Sequence, residues 1–81
     1  MLSLEAFKKI LEEQLKARVL IETDGRHYKA TLISPLFEGQ RLLERQQAVN
    51  AVINPYLQSG VLHAFSMKTY TETEWEAKKN G

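Results

Sequence analysis

The chain has 81 residues, of which 43% are hydrophobic and 26% charged, and a formal net charge of +1. That length allows one small domain, which buries only about 60% of the surface its unfolded chain exposes. The charge balance excludes nucleic-acid binding driven by bulk charge alone, leaving only a local patch, and the lack of cysteine excludes disulfides, a self-contained thiolate metal site and thiol catalysis.

Ser3 is placed to cap a first helix from about Leu4 to Lys16. Leu4, Phe7, Leu11 and Leu15, joined by Ile10, recur at helical spacing and form its buried stripe. Val19-Leu20-Ile21 is β-branched and short and predicts a strand ending near Thr23. Asp24-Gly25 is a turn signal, and a second strand follows from Tyr28 to Ser34 with Tyr28, Ala30 and Leu32 on one face; the two strands form an antiparallel hairpin. Pro35 lacks an N–H for the ladder and ends the second strand. Pro35 to Gln40 then reads as a loop whose Leu36 and Phe37 tuck against the core. A long helix begins near Arg41, with Leu42, Val49, Val52, Ile53 and Tyr56 as its buried stripe, and Pro55 is expected to kink or break it near Asn54. Ser59-Gly60 closes that segment. Leu62 to Tyr70 is a third strand, with Phe65 and Met67 on one face. Thr71 and Glu74 match a capping box opening a last helix that carries Trp75. Lys78-Lys79-Asn80-Gly81 is expected to be a frayed tail. Phe37 and Trp75 are expected to anchor the core.

These elements make one domain over residues 1–81, with the order α-β-β-α-β-α and an α+β fold. A helical crossover joins parallel strands, so the second and third strands should run side by side in the same direction. Their N-terminal ends then share one edge of the sheet. His27 just precedes the second strand and His63 opens the third; they are the chain's two histidines. Such a pair is half a ligand set, since structural metal sites take about four protein ligands. By strand parity His63 falls with Phe65 and Met67, so the pair meets only if His27 lies in a bent loop.

Several segments together resemble one family. They are Leu32-Ile33-Ser34, Phe37-Glu38-Gly39, Arg41-Leu42-Leu43-Glu44-Arg45-Gln46-Gln47, and the block from His63 to Thr71 with Trp75. In order and spacing they are similar to the BolA-like family, and the short chain with Arg45-Gln46-Gln47 resembles its IbaG (YrbA) branch. The resemblance spans about Val19 to Trp75. It implies a fold like a type II KH domain, a three-stranded mixed sheet with helices on one face. It also implies partnership with a monothiol glutaredoxin, either around a shared [2Fe–2S] cluster completed with glutathione or without a cluster. Under this resemblance His63 is the principal ligand and His27 the one candidate for the second, although in the family a histidine at that place is not always the ligand. No cofactor is expected in the isolated chain. An iron–sulfur cluster with imidazoles on one iron and thiolates on the other is chemically sound. Neutral imidazole is the ligand form, so a shared cluster should loosen as pH falls through roughly 6.5.

Arg41, Arg45 and Lys68 make a candidate basic patch near the long helix, for nucleic acid or a protein partner, or a simple solvated face. The Gly-x-x-Gly loop with which KH domains grip a nucleic-acid backbone is missing: Gly39 has no second glycine three residues away. The family has nonetheless been linked to DNA binding and transcription, so a nucleic-acid-binding regulator is the alternative reading. No Ser–His–Asp set, acid/base carboxylate pair or phosphate-cradling glycine loop is present, so no catalytic residue is assigned and the chain reads as a non-enzyme. No apolar run approaches the ~18 residues that span a bilayer, and no signal peptide is visible. The expectation is a cytoplasmic protein, a monomer or weak homodimer when free.

Overall fold

The computed structural model describes residues 3–60, 62 and 64–80. The elements in chain order are α1 (Leu4–Leu15), β1 (Arg18–Thr23), β2 (His27–Ile33), a turn of 3-10 helix (Pro35–Phe37), α2 (Leu42–Gln58), β3 (Ala64–Tyr70) and α3 (Glu72–Asn80). The Ser3 hydroxyl accepts from the Ala6 N–H at 3.1 Å and caps α1. Lys16 leaves the helix in a left-handed conformation (φ 52) and turns the chain into β1.

The sheet has the order β1-β2-β3. β1 and β2 are antiparallel, from Thr23 opposite Tyr28 to Arg18 opposite Ile33. β2 and β3 are parallel, from His27 beside Ala64 to Ile33 beside Tyr70, as a helical crossover requires. One face of the sheet meets α1 and α2. Phe7, Leu11 and Leu15 of α1 and Val49 and Ile53 of α2 close over Val19, Ala30 and Leu32, with Phe65 and Met67 at the margin. Phe7 is the hub of this core. Its ring meets those of Tyr28, Tyr56 and Phe65 edge to face at 5.7, 5.9 and 5.7 Å.

Several expectations need correction. Leu42 is 62% exposed, because it sits in the first turn of α2 beyond the reach of the core, and Leu36 is 50% exposed while Phe37 alone takes the buried slot. Pro55 does not break α2, which continues to Gln58. The carbonyl freed by the proline, four residues back at Ala51, lies on the exposed side where water can serve it. Lys78, Lys79 and Asn80 are helical rather than frayed. Lys78 Nζ lies 5.7 Å over the Tyr70 ring, and lysines suit the negative end of a helix. Trp75 is half-buried and packs on Tyr70 at 5.4 Å, outside the main core. The capping box of α3 forms as expected: Thr71 N–H donates to Glu74 Oε1 at 2.9 Å and Glu74 N–H to Thr71 Oγ1 at 3.1 Å.

Because Phe7 joins both helices to the sheet, Phe7→Ala should cost about 3–5 kcal/mol in a urea melt. Leu36→Ala, at an exposed position, should stay within about 0.5 kcal/mol of the parent. Equal losses in the two variants would contradict this placement of the core.

Candidate functional site at the hairpin end

The site is built by the turn between β1 and β2. Gly25 takes a positive φ of 99, which a side chain would strain. Asp24 organises the turn: its Oδ1 accepts the N–H of Arg26 at 3.0 Å and of His27 at 2.8 Å. Thr23 Oγ1 donates to the His27 carbonyl at 2.9 Å and accepts the Gly25 N–H at 3.0 Å. The backbone of His27 is thus fixed on both sides before β2 begins.

The second oxygen of Asp24 faces the ring. Asp24 Oδ2 lies 3.4 Å from His27 Nδ1. A carboxylate there favours the tautomer with its proton on Nδ1, leaving Nε2 unprotonated and able to act as a ligand. The backbone N–H of His27, then that of Arg26, then the His27 ring lower the Asp24 pKa to about 2. The carboxylate is therefore ionised wherever imidazole is neutral. The His27 side chain is 67% exposed. It shares a shallow depression of about 200 Å³ with Glu22, Thr23, Asp24 and Lys29. His27 is the first residue of β2 rather than part of a bent loop, and it lies with Lys29 on the face away from α1 and α2, so the condition that strand parity set for the two histidines to meet is not fulfilled at His27.

The parallel register sets His27 beside Ala64, the residue that follows His63 in the sequence. The predicted ligand His63 itself lies outside the described residues. Leu62, the described residue before it, is 3% exposed and donates its N–H to the Tyr56 carbonyl at 3.0 Å. The chain therefore leaves α2 close to the core and enters β3 at the hairpin end. Among the described residues no group of three or more His, Asp and Glu side chains is placed to hold a metal ion.

The predicted basic patch does not assemble. Arg45 is turned inward, with a side chain only 12% exposed. Its Nη1 and Nη2 bind Glu74 at 2.7 and 3.2 Å, its Nε donates to the Gln40 carbonyl at 3.0 Å, and its guanidinium stands 5.9 Å from the Phe37 ring centroid. The hydrogen bonds from Arg45, then that from the Thr71 N–H, hold the Glu74 carboxyl below its usual range. Arg45 is thus a clamp between α2 and α3. Arg41 is exposed at the start of α2, where its N–H donates to Glu44 Oε1 at 2.8 Å. Lys68 is exposed on the far face of the sheet, around a depression lined with Leu20, Lys29, Thr31 and Ser66. From the sequence, Asp24 reads only as a turn residue. The spacing Asp-x-x-His was the available sign that its carboxylate would orient the imidazole.

A small α+β domain that fixes an imidazole and its carboxylate at one end of a mixed sheet is what the fold and this turn define. The comparisons give that class a family. A family profile described as "BolA-like protein" matches residues 5–74. The chain is 34% identical to the acid stress protein IbaG of Escherichia coli K12 over 65 residues, covering 78% of this chain and 77% of that one. It is 31% identical over 70 residues to the DNA-binding transcriptional regulator BolA of the same strain, covering 86% of this chain and 65% of the other. The crystal structure of a Bol-like protein from Babesia bovis superposes with a TM-score of 0.85 at 32% identity, covering 98% and 95% of the two chains. The chain belongs to the BolA-like family, in its IbaG branch.

If the turn is built as described, the Asp24 carboxyl carbon should titrate near pH 2, and the amide protons of Arg26 and His27 should shift with the same midpoint in an NMR titration. The sign follows from the depressed value. The contribution of this carboxylate to the turn is complete above the ordinary Asp range and is lost as pH falls through about 2. A midpoint near the ordinary value of about 3.9 would mean that the bonds from Arg26 and His27 do not persist in solution.

Proposed function

We propose that this chain is an accessory factor in iron–sulfur cluster trafficking or iron sensing that partners a monothiol glutaredoxin. His63 is the main ligand and His27 the second, and together they supply the imidazole half of a shared [2Fe–2S] cluster. Thiolates of the glutaredoxin and of glutathione supply the other half. The observation that carries this reading is the β2–β3 register, which brings His27 to the sheet edge where Ala64, next in sequence to His63, begins β3; because His27 faces away from the helices, the pair requires the chain ahead of Ala64 to leave strand alternation. The donor chemistry fits as well. Imidazole suits iron, and a ligating histidine ordinarily donates its other ring N–H to a carboxylate, the arrangement Asp24 offers His27. The cluster would provide an iron–sulfur centre that either moves on to a client or reports iron supply. This chain's part is to hold neutral imidazoles in place and to add contact area to the complex.

The experiment is anaerobic reconstitution of the chain with a monothiol glutaredoxin, glutathione, iron and sulfide, followed by visible circular dichroism. The mixture should give a spectrum that the glutaredoxin alone does not. His63→Ala should abolish it, and His27→Ala should weaken it. Asp24→Asn should lower cluster retention by about 10–100-fold, the usual effect of losing a carboxylate behind a ligating histidine. A spectrum indifferent to both histidines would refute the ligand assignment.

The alternative, a nucleic-acid-binding regulator, draws on the relative named as a DNA-binding transcriptional regulator. It would rely on Arg41 and Lys68, because Glu74 already neutralises Arg45. Salt-sensitive DNA binding weakened by Arg41→Ala, together with an unchanged reconstitution spectrum, would favour it.

A further inference from the structure

β1 is an edge strand whose sequence is complementary to itself. The sheet order leaves one side of β1 without a partner strand. The ladder shows which backbone groups face that side. The Asp24 N–H donates to the His27 carbonyl at 3.3 Å, and bonded and non-bonded pairs alternate from there. Arg18, Leu20 and Glu22 thus direct their backbone groups to β2, while Val19, Ile21 and Thr23 direct theirs outward. The bond from the Ser34 N–H to the Tyr70 carbonyl, at 3.0 Å on the other side of β2, has the same phase. Among the described residues no other backbone group bonds the outward ones.

We propose that this edge pairs with the same edge of a second copy, antiparallel, about a twofold axis at Leu20. In that register Val19 and Ile21 of one chain exchange backbone hydrogen bonds with Ile21 and Val19 of the other. Leu20 meets Leu20 in the non-bonded pair at the centre. Arg18 faces Glu22 at both ends, on the same side of the sheet. Shifting the register by two residues in either direction keeps the hydrogen bonds but loses both Arg18–Glu22 pairs, and the charges then set opposite Arg18 or Glu22, Asp24 or Lys16, lie outside β1. Like-charge and opposite-charge neighbours across strands are what select one register over another.

Three features of the free chain fit this occupant. Leu20 is 54% exposed although it lies in a strand, and the pairing covers it. Arg18 spends Nε and Nη2 on Glu72, at 3.2 and 2.9 Å, which orients the guanidinium and leaves Nη1 for a second carboxylate. Glu22 has no ion pair or hydrogen bond among the described residues and can be that carboxylate. A groove of about 510 Å³ beside β1, lined by Leu4, Glu5, Lys8, Leu20, Ile21 and Glu22, gives room for a strand. The product is a continuous sheet with β1 at its centre. The pairing is short and buries less than the ~1,000 Å² of a stable interface, so the dimer is weak and concentration-dependent.

Because the chain has no cysteine, disulfide trapping reads the register directly. Leu20→Cys places two thiols at a non-bonded pair, where Cα atoms are ~4.5 Å apart and a disulfide can close. Glu22→Cys places them about 13 Å apart along the strands. Under mild oxidation at about 0.5 mM protein, L20C should cross-link at least about tenfold faster than E22C. A charge swap gives an independent reading by sedimentation. Glu22→Arg and Arg18→Glu should each abolish the dimer, since each sets like charges opposite at both ends. Mixing the two variants should restore it, because both ends are then of opposite charge. Recovery on mixing also shows that each variant is folded. A chain that stays monomeric to about 1 mM, with L20C no faster than E22C, overturns the proposal, as does a dimer indifferent to both charge changes.

Discussion

The parallel pairing of β2 with β3 is the constraint from which the rest follows. α2 crosses over the core and returns the chain to the end of the sheet where it left the β1–β2 turn. Without that return, His27 and the start of β3 would have no reason to be neighbours. With it, the register sets His27 beside Ala64. The pairing depends in turn on Phe7, whose ring touches Tyr28 on β2, Phe65 on β3 and Tyr56 on α2. A domain this small has few such contacts to spare, so the same side chains that make the core also set the geometry of the site.

Charge does two different jobs in this molecule. Arg45 and Glu74 form a clamp with a mostly buried guanidinium that ties the last helix to α2, and the Thr71 N–H shares the same carboxylate. Asp24 instead works at the surface. It accepts two backbone N–H groups and turns its other oxygen to an imidazole that stays open to solvent. The first arrangement ties up a cation within the fold, whereas the second orients an exposed imidazole. Among the described residues the surface therefore carries an exposed imidazole and an unpaired strand edge rather than a concentrated basic face.

Much of this was legible in the sequence. Alternation along Tyr28, Ala30 and Leu32, helical spacing of Phe7, Leu11 and Leu15, and the capping box at Thr71 each name one local structure, and each forms. The parallel pairing followed from the helix between two strands. What was hidden depended on distant partners. Leu42 has the composition of a buried residue but lies in a first turn that nothing covers. Arg45 reads as a surface cation until Glu74, 29 residues away, is brought to it. Pro55 ordinarily marks a break, yet the one carbonyl it orphans faces water and the helix continues. At the candidate site the histidines were visible by their rarity, and the contact of Asp24 with the imidazole was not, because a turn residue and a ring-orienting residue look the same until the ring is placed.

The central claim is that imidazole nitrogen from this chain binds iron when the glutaredoxin is present. Pulsed electron paramagnetic resonance tests it most directly, on the reduced mixed complex with only this chain's histidines labelled with nitrogen-15. Strong coupling to labelled nitrogen, lost in His63→Ala, is the predicted result. A cluster formed in the complex with no coupling to labelled nitrogen would contradict the account.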